Sequence, residues 1–497
     1  MRSVLKNLAF GALCATACVS SAYSMANDNE LPNLGSSALT VLSIEKEKRL
    51  GEIIYEQFQG SANVTHDPLI KEYINDLGNR LITHTADVKF PFTFFVVNEP
   101  TINAFAFYGG HIGIQTGLIY HADTESQLAS VLSHEIAHVT QRHIARRKEA
   151  ASNAAPLTFA GLIGAILLAA VSPHAVMAGM FATQAGSQQM MINYTRGNEQ
   201  EADRIGMQIL AEAGYDPNAS AEFFSKLQEQ SRYRTTLPPF LQTHPVPDSR
   251  ITDARLRALQ YERRFFSDNL DFLLIKARVN ARFVDVNNSR ADGETKTDVF
   301  TALDSKISKS SNTKKFAFQY EKLLRLVDSK RYAEAEELWS ELNLQAPQNL
   351  FLLDTYTDLK VAQKDYEPAI KALKQAYKIK PNNSIVTLNL ANTYLEAERQ
   401  KEAIELLEYY LLAKPKDFLG TQLLTEAYKQ AKNMAKYNST KAELYALMAR
   451  YGEAITFTDN AMSFLGKNDN TEISRLQAMK RQYRKRLDYV QDLRKNL

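Results

Sequence analysis

The sequence predicts a mainly α protein: an α+β first half holding one small sheet, then an all-α repeat solenoid. Three observations lead there. Glycine and proline are scarce, 20 and 15 of 497 residues, against the roughly 7% and 5% of an average chain. Residues from about 40 to 285 mix helix-period and strand-period apolar patterns. Beyond residue 314, alanine and proline recur at a fixed spacing of 34 residues. The length fits two to four domains. A net charge of +3 is too weak to imply general affinity for nucleic acid.

At the start of the chain, Arg2 and Lys6 flank an apolar stretch over residues 8–22, and Ser24 and Ala26 stand three and one residues before Asn27. This is the layout of a cleaved secretory signal over residues 1–26. A membrane anchor and a lipoprotein signal ending at Cys18 are the rival readings, although Ala15 stands where the latter usually has leucine. The two cysteines, Cys14 and Cys18, would leave with the signal. The mature chain would then be free of thiols and indifferent to an oxidising compartment.

Within the first half, residues 43–59 carry the spacing of an amphipathic helix. Residues 92–97, Phe-Thr-Phe-Phe-Val-Val, fit a buried strand. Short apolar runs over 101–119, around Gly109 and Gly110, read as strand, turn, strand. Thr124 opens a long helical stretch, and Gln127 completes a capping box with it. Leu128, Val131 and Leu132 begin its apolar face. Residues 286–313, rich in Ser, Lys, Asp and Asn, read as a linker or exposed loop. They divide a domain over 40–285 from a repeat domain over 314–497.

In the second half Ala335, Ala369 and Ala403 are 34 residues apart, as are Pro347, Pro381 and Pro415. Tyr332 and Tyr366 share the register, with Gln400 in the third place. A unit of this length, with small residues in its second helix and a proline at that helix's end, resembles the tetratricopeptide repeat. Such helix pairs cannot bury their faces alone, so they stack into a solenoid with a binding groove. Tyr451 and Ala454 look like a fourth unit, but Ala454 follows Ala403 by 51 residues, 17 more than one period. A longer helix or an insertion is therefore expected between residues 419 and 448.

The chemistry concentrates in His134-Glu135-Ile136-Ala137-His138. Four apart on a helix, the two histidines share a face and can hold one Zn²⁺. Glu135 is then placed to act as general base. Glu199 and Glu201 are candidates for a third ligand. Glu199 and Asp203 are also four apart and share a helical face. With Glu199 as ligand, Asp203 can orient a ligand histidine, and Glu201 points elsewhere. His143, five past His138, is off the ligand face and reads as solvated. For all three acids the competing reading is a solvated helix face.

Residues 150–195, a run of 46, contain no Lys, Arg, Asp or Glu. The most apolar part, 157–171, is 15 residues long, short of the roughly 20 that span a bilayer. The reading is two short helices over 157–182, touching a membrane or covering a cleft, with a spanning hairpin as the alternative.

The order of these motifs resembles the M48 family of zinc metallopeptidases. The histidine motif is followed by Asn198-Glu199-Gln200-Glu201-Ala202-Asp203-Arg204 and then by Thr243-His244-Pro245. Upstream, Asn103-Ala104-Phe105-Ala106 with Gly109-Gly110 matches the family's edge-strand region. The signal and the repeats narrow the resemblance to exported members. One departure is the absence of cysteine after Cys18, since such members carry C-terminal cysteines.

The resemblance implies one zinc ion per chain held by His134, His138 and Glu199, with Glu135 as catalytic base. It places His244 on the metal's fourth position in a latent resting state. It also implies a periplasmic location, chaperone activity beside proteolysis, and clients among outer-membrane β-barrel proteins and their assembly machinery. The strand near Asn103, Ala104 and Phe105 can pair with an extended substrate. Arg250 and His244 are alternative donors to an oxyanion. Two other functions stay open: a repeat-based chaperone or adaptor with a dormant site, and a membrane-embedded peptidase of the same clan. A divalent ion other than zinc can suit the same ligands in vitro.

Overall fold

The computed structural model describes residues 43–61, 63–146, 196–232, 238–262, 264–284, 299–466 and 468–495. The signal at 1–26 and the apolar stretch at 157–182 lie outside the described residues. The amphipathic helix expected at 43–59 is α1 (Ile44–Gln59), which buries Leu50, Ile53, Ile54 and Phe58. It also buries Glu47, which Arg142 meets at 2.9 Å. After β1 (Val64–Thr65), α2 (Pro68–Ile82) begins at Asp67, whose carboxylate accepts from the Leu69 and Ile70 amides. Pro68 sits in the first turn, where an amide hydrogen would have no helical partner.

Strands β2 (Thr93–Val97), β3 (Ala104–Phe107) and β4 (His111–Gln115) complete a four-stranded sheet in the order β1-β2-β4-β3. β2 runs parallel to β4, and β3 runs antiparallel to it. The expected strand, turn, strand is therefore β3 and β4, and β3 is an edge. Its turn needs glycine: Gly109 and Gly110 have φ of +77° and +84°. A Cβ on Gly110 would meet the Pro91 carbonyl at 2.6 Å.

α3 (Thr116–His121) leads into α4 (Glu125–Thr140). Thr124 caps α4 by accepting from the Gln127 amide at 3.2 Å. The Gln127 side chain reaches the Asp123 amide at 2.9 Å instead of that of Thr124, so the return bond of the expected box falls one residue earlier. Every residue of α4 after Glu125 is buried, with β3 on one side and α5 (Arg196–Glu212) on another. Gly206 lets α5 come close, because a Cβ there would lie 3.0 Å from the His134 amide nitrogen. α6 (Asn218–Arg232), α7 (Pro239–Thr243), α8 (Asp248–Ala258) and α9 (Leu270–Arg282) complete the first half.

Part of the segment read as a linker is helical. α10 (Val299–Lys309) buries Leu303 alone, a stripe too thin to stand out among its polar residues. α11 (Asn312–Asp328) starts before residue 313. Residues 285–298 lie outside the described set.

The repeats follow as α12 (Tyr332–Gln345), α13 (Leu350–Ala362), α14 (Tyr366–Ile379), α15 (Ser384–Glu396), α16 (Gln400–Ala413) and α17 (Phe418–Gln430). Ala335, Ala369 and Ala403 are fully buried where the helices approach. α18 (Met434–Ala446), α19 (Tyr451–Ser463) and α20 (Asn470–Lys495) end the chain. The 17 surplus residues before Ala454 are an added helix, α18, and no helix is lengthened: α17, α18 and α19 are each 13 residues long.

The described residues from Ile44 onward form one compact unit. Arg278, fully buried on α9, joins Asp67 at 2.6 Å to Asp354 of α13 at 2.7 Å. Lys71 of α2 meets Asp417 at 2.7 Å, and Asn383 donates to Glu72 at 2.8 Å. Tyr451 bonds to Glu56, which Arg486 also meets at 2.5 Å.

Candidate metal centre

On α4 the i, i+4 spacing stacks His134 over His138, and their Nε2 atoms come within 3.0 Å of each other. α5 adds Glu199, whose oxygens lie 3.5 Å from each of those nitrogens. The turn after α7 adds His244, with Nδ1 3.1 Å from Glu199 and 3.4 Å from His134 Nε2. One donor atom from each of the four lies within 4.8 Å of the other three, and all four side chains are buried. His244 is held there by its amide, which donates to the Phe240 carbonyl at 2.7 Å, and by a stack on the Phe240 ring at 4.9 Å.

The outward nitrogens of the two α4 histidines also have partners. His134 Nδ1 meets Asp203 at 3.1 Å, as the shared face of Glu199 and Asp203 led one to expect. His138 Nδ1 meets His143 Nδ1 at 2.7 Å. The expectation of a solvated His143 is therefore wrong: the residue is 0% exposed. The chain leaves α4 at Arg142, with φ of +52°, so helical spacing no longer governs where His143 points. Its Nε2 meets Glu201 at 3.0 Å, and Arg146 grips the same oxygen at 2.5 Å. Glu201 is thus directed away from the donor cluster, as expected.

Arg250, near the start of α8, is already engaged. It reaches both oxygens of Asp203, at 2.6 and 2.7 Å, the Pro245 carbonyl at 2.7 Å and Glu199 at 2.8 Å. This arrangement does not favour Arg250 as an oxyanion donor, because its guanidinium is spent on the acids and the loop.

Glu135 is fully buried, and its carboxylate faces the Ala106 backbone of β3 and His244 Nε2, the latter at 3.5 Å. Burial pushes its pKa up, and the nearby His244 and His134 offset part of that rise. Burial would also raise Glu199, yet His244 and His134 hold it far below the usual carboxylate range. Burial pushes His138 well below its ordinary value, with His134 adding to the effect. Burial works against the proton on His134 too, but Asp203 and Glu199 win and hold its pKa at about 9. A neutral His138 and an ionised Glu199 are the forms that can donate lone pairs. The proton on His134 is one that a cation displaces. The three imidazoles, the carboxylate and the buried Glu135 beside them fit one divalent ion of borderline softness.

At the sheet edge, Ala104 is fully buried and Asn103 nearly so. The Phe105 ring packs on Phe58 at 5.7 Å and Phe95 at 5.9 Å. The Phe105 side chain thus belongs to the core, and what β3 offers outward is its backbone edge.

The M48 peptidase family profile matches residues 68–258, and a tetratricopeptide-repeat profile matches 360–419. The beta-barrel assembly-enhancing protease of Yersinia pestis is 41% identical over 87% of this chain and 87% of its own length. The protein of that name from Escherichia coli (strain K12) is 40% identical over 93% of each chain. The mitochondrial metalloendopeptidase OMA1 of Homo sapiens is 30% identical over 44% of each. The helix-borne His-Glu-x-x-His pair, the Glu199 donor behind it and near full-length similarity to proteases agree: the chain belongs to peptidase family M48 and is a metallopeptidase.

Proposed function

We propose that the protein is an exported zinc endopeptidase of the periplasm, with chaperone activity, acting on outer-membrane β-barrel proteins and their assembly machinery. Relatives named for β-barrel assembly, similar over most of their length, support the client class. In this reading residues 1–26 are an export signal, 40–285 a peptidase domain, 286–313 a connection and 314–497 a repeat domain that engages clients.

The observation that carries the proposal is a fully buried Glu135 beside four converging donors, with His244 Nε2 at 3.5 Å from its carboxylate. His134, His138 and Glu199 would hold one Zn²⁺, with His244 at the fourth position in a latent state. When bound, the ion supplies Lewis acidity toward water and the scissile carbonyl. Glu135 takes the proton from the attacking water and returns it to the leaving amine. Asp203 fixes the ring of His134 from behind, and Arg250 fixes Asp203. The backbone of Asn103, Ala104 and Phe105 aligns an extended substrate along the sheet edge. A repeat-based adaptor with a dormant site is not favoured, because an adaptor has no use for a buried base beside a complete donor set.

The test compares wild type with Glu135→Gln for zinc content and for cleavage of casein and of a β-barrel client. Expected is full zinc content with cleavage reduced by at least about a hundredfold, the scale of lost acid–base catalysis. Undiminished cleavage by Glu135→Gln would falsify the assigned mechanism.

A further inference from the structure

We propose that His143 is a positioning residue for the metal centre, fixing the tautomer and the orientation of His138. The inference rests on the metallopeptidase reading of the site. His138 directs Nε2 toward the donor cluster, 3.0 Å from His134 Nε2. A metal-ligating nitrogen must carry a lone pair, so the hydrogen of a neutral His138 belongs on Nδ1. The partner of that Nδ1, at 2.7 Å, is His143 Nδ1, which must therefore accept. The hydrogen of His143 then lies on Nε2, where Glu201 accepts it at 3.0 Å. Arg146 closes the chain at 2.5 Å from the same Glu201 oxygen.

The relay thus runs His138, His143, Glu201, Arg146, and it assigns a single tautomer to each ring. Asp203 serves His134 in the same way from the other side. Each α4 histidine has its own outer partner: a carboxylate directly for His134, and a carboxylate through an imidazole for His138. The two acids sit on α5, at positions 203 and 201, so one helix orients both ligands while supplying Glu199 itself. His143 is fully buried, which excludes solvent from the accepting nitrogen and makes the protein the partner that sets the ring.

The test is metal affinity, read apart from activity. Zn²⁺ is titrated into the apoprotein against a chromophoric chelator, and Co²⁺ is used to record the visible absorption of the site. His143→Ala is expected to weaken Zn²⁺ binding by about 10- to 100-fold, the range for an outer partner of a ligand, and to shift the Co²⁺ bands. His143→Gln, whose amide oxygen can accept from His138, is expected to recover most of that loss. Glu201→Gln is expected to weaken binding several-fold. If His143→Ala fails to fold, judged by the melting of the apoprotein, the other two variants carry the test. Affinities within twofold of wild type with unchanged Co²⁺ bands overturn the proposal alone. Wild-type binding that His134→Ala leaves unchanged overturns the metal reading, and the proposal with it.

Discussion

His244 Nε2 lies 3.5 Å from a Glu135 carboxylate oxygen, while Nδ1 of the same ring lies 3.1 Å from Glu199. One imidazole thus stands between the proposed base and a proposed ligand. Water attacking a carbonyl must reach that gap, so the ring fills the space the reaction needs. His244→Ala removes the obstacle and leaves His134, His138 and Glu199 to hold the ion. Casein cleavage is expected to rise several-fold, with zinc retained. A fall in kcat at full zinc content would instead make His244 a participant in the chemistry.

Asp203 takes the His134 ring with one oxygen and offers both oxygens to Arg250. Removing the guanidinium breaks buried ion pairs to two carboxylates, Asp203 and Glu199, and leaves them only their histidine partners. Such a loss typically costs about 3–5 kcal/mol. Arg250→Ala should therefore lower the melting temperature of the apoprotein and weaken zinc binding. Arg250→Lys keeps the charge but loses the two-pronged grip on Asp203, so an intermediate loss of zinc affinity, about tenfold, is expected. Normal stability and zinc affinity with a large loss of kcat would return Arg250 to the role of oxyanion donor.

The two pairs that build most of the candidate site were legible because helical spacing converts directly into a shared face. His134 with His138 and Glu199 with Asp203 needed no tertiary information. His143 was misread for the same reason: the helix rule was carried past Gln141, where the backbone turns at Arg142. The repeat phase was legible from its alanines and prolines. A second periodic signal in the same stretch was passed over, namely Asn349, Asn383 and Asp417, again 34 residues apart. Each caps a helix by accepting backbone amides. Two of them also face α2, through Lys71 and Glu72. Contacts between residues hundreds of positions apart leave no local pattern, so the docking of the two halves was not readable from the chain.

Arg278 is the clearest test of that docking. Its guanidinium is shared between Asp67, which caps α2, and Asp354 on α13, with the Tyr320 hydroxyl at 3.3 Å. Replacing it by methionine fills most of the space but leaves two buried carboxylates without a cation. A loss of roughly 3–5 kcal/mol is expected in urea denaturation. Adding Asp354→Asn should restore part of it by removing one stranded charge. A double variant no more stable than Arg278→Met would mean that Asp354 finds another partner or water.

His66 gives the halves a pH dependence of defined sign. Its ring stacks on Phe418 at 4.2 Å, with the planes 15° apart. Burial, helped by the charge of Lys71, pushes its pKa from 6.5 down to about 4, against smaller opposing effects of the Gln59 backbone and Asp417. Above pH 6.5 the ring is neutral whether the chain is folded or not, and its full contribution is present. Between 6.5 and about 4 the unfolded chain binds a proton that the folded chain refuses, so stability falls as the pH falls. Burial shifts His111 to about 4 as well, and it adds a slope of the same sign. His66→Phe keeps an aromatic face against Phe418 and removes one of the two titrations. The melting temperature of this variant minus that of wild type should be small at pH 7.5 and become clearly positive at pH 5. Taking the difference cancels His111 and the metal centre, which both proteins share. An equal difference at the two pH values would mean that the folded protein accepts a proton on His66 as readily as the unfolded chain does.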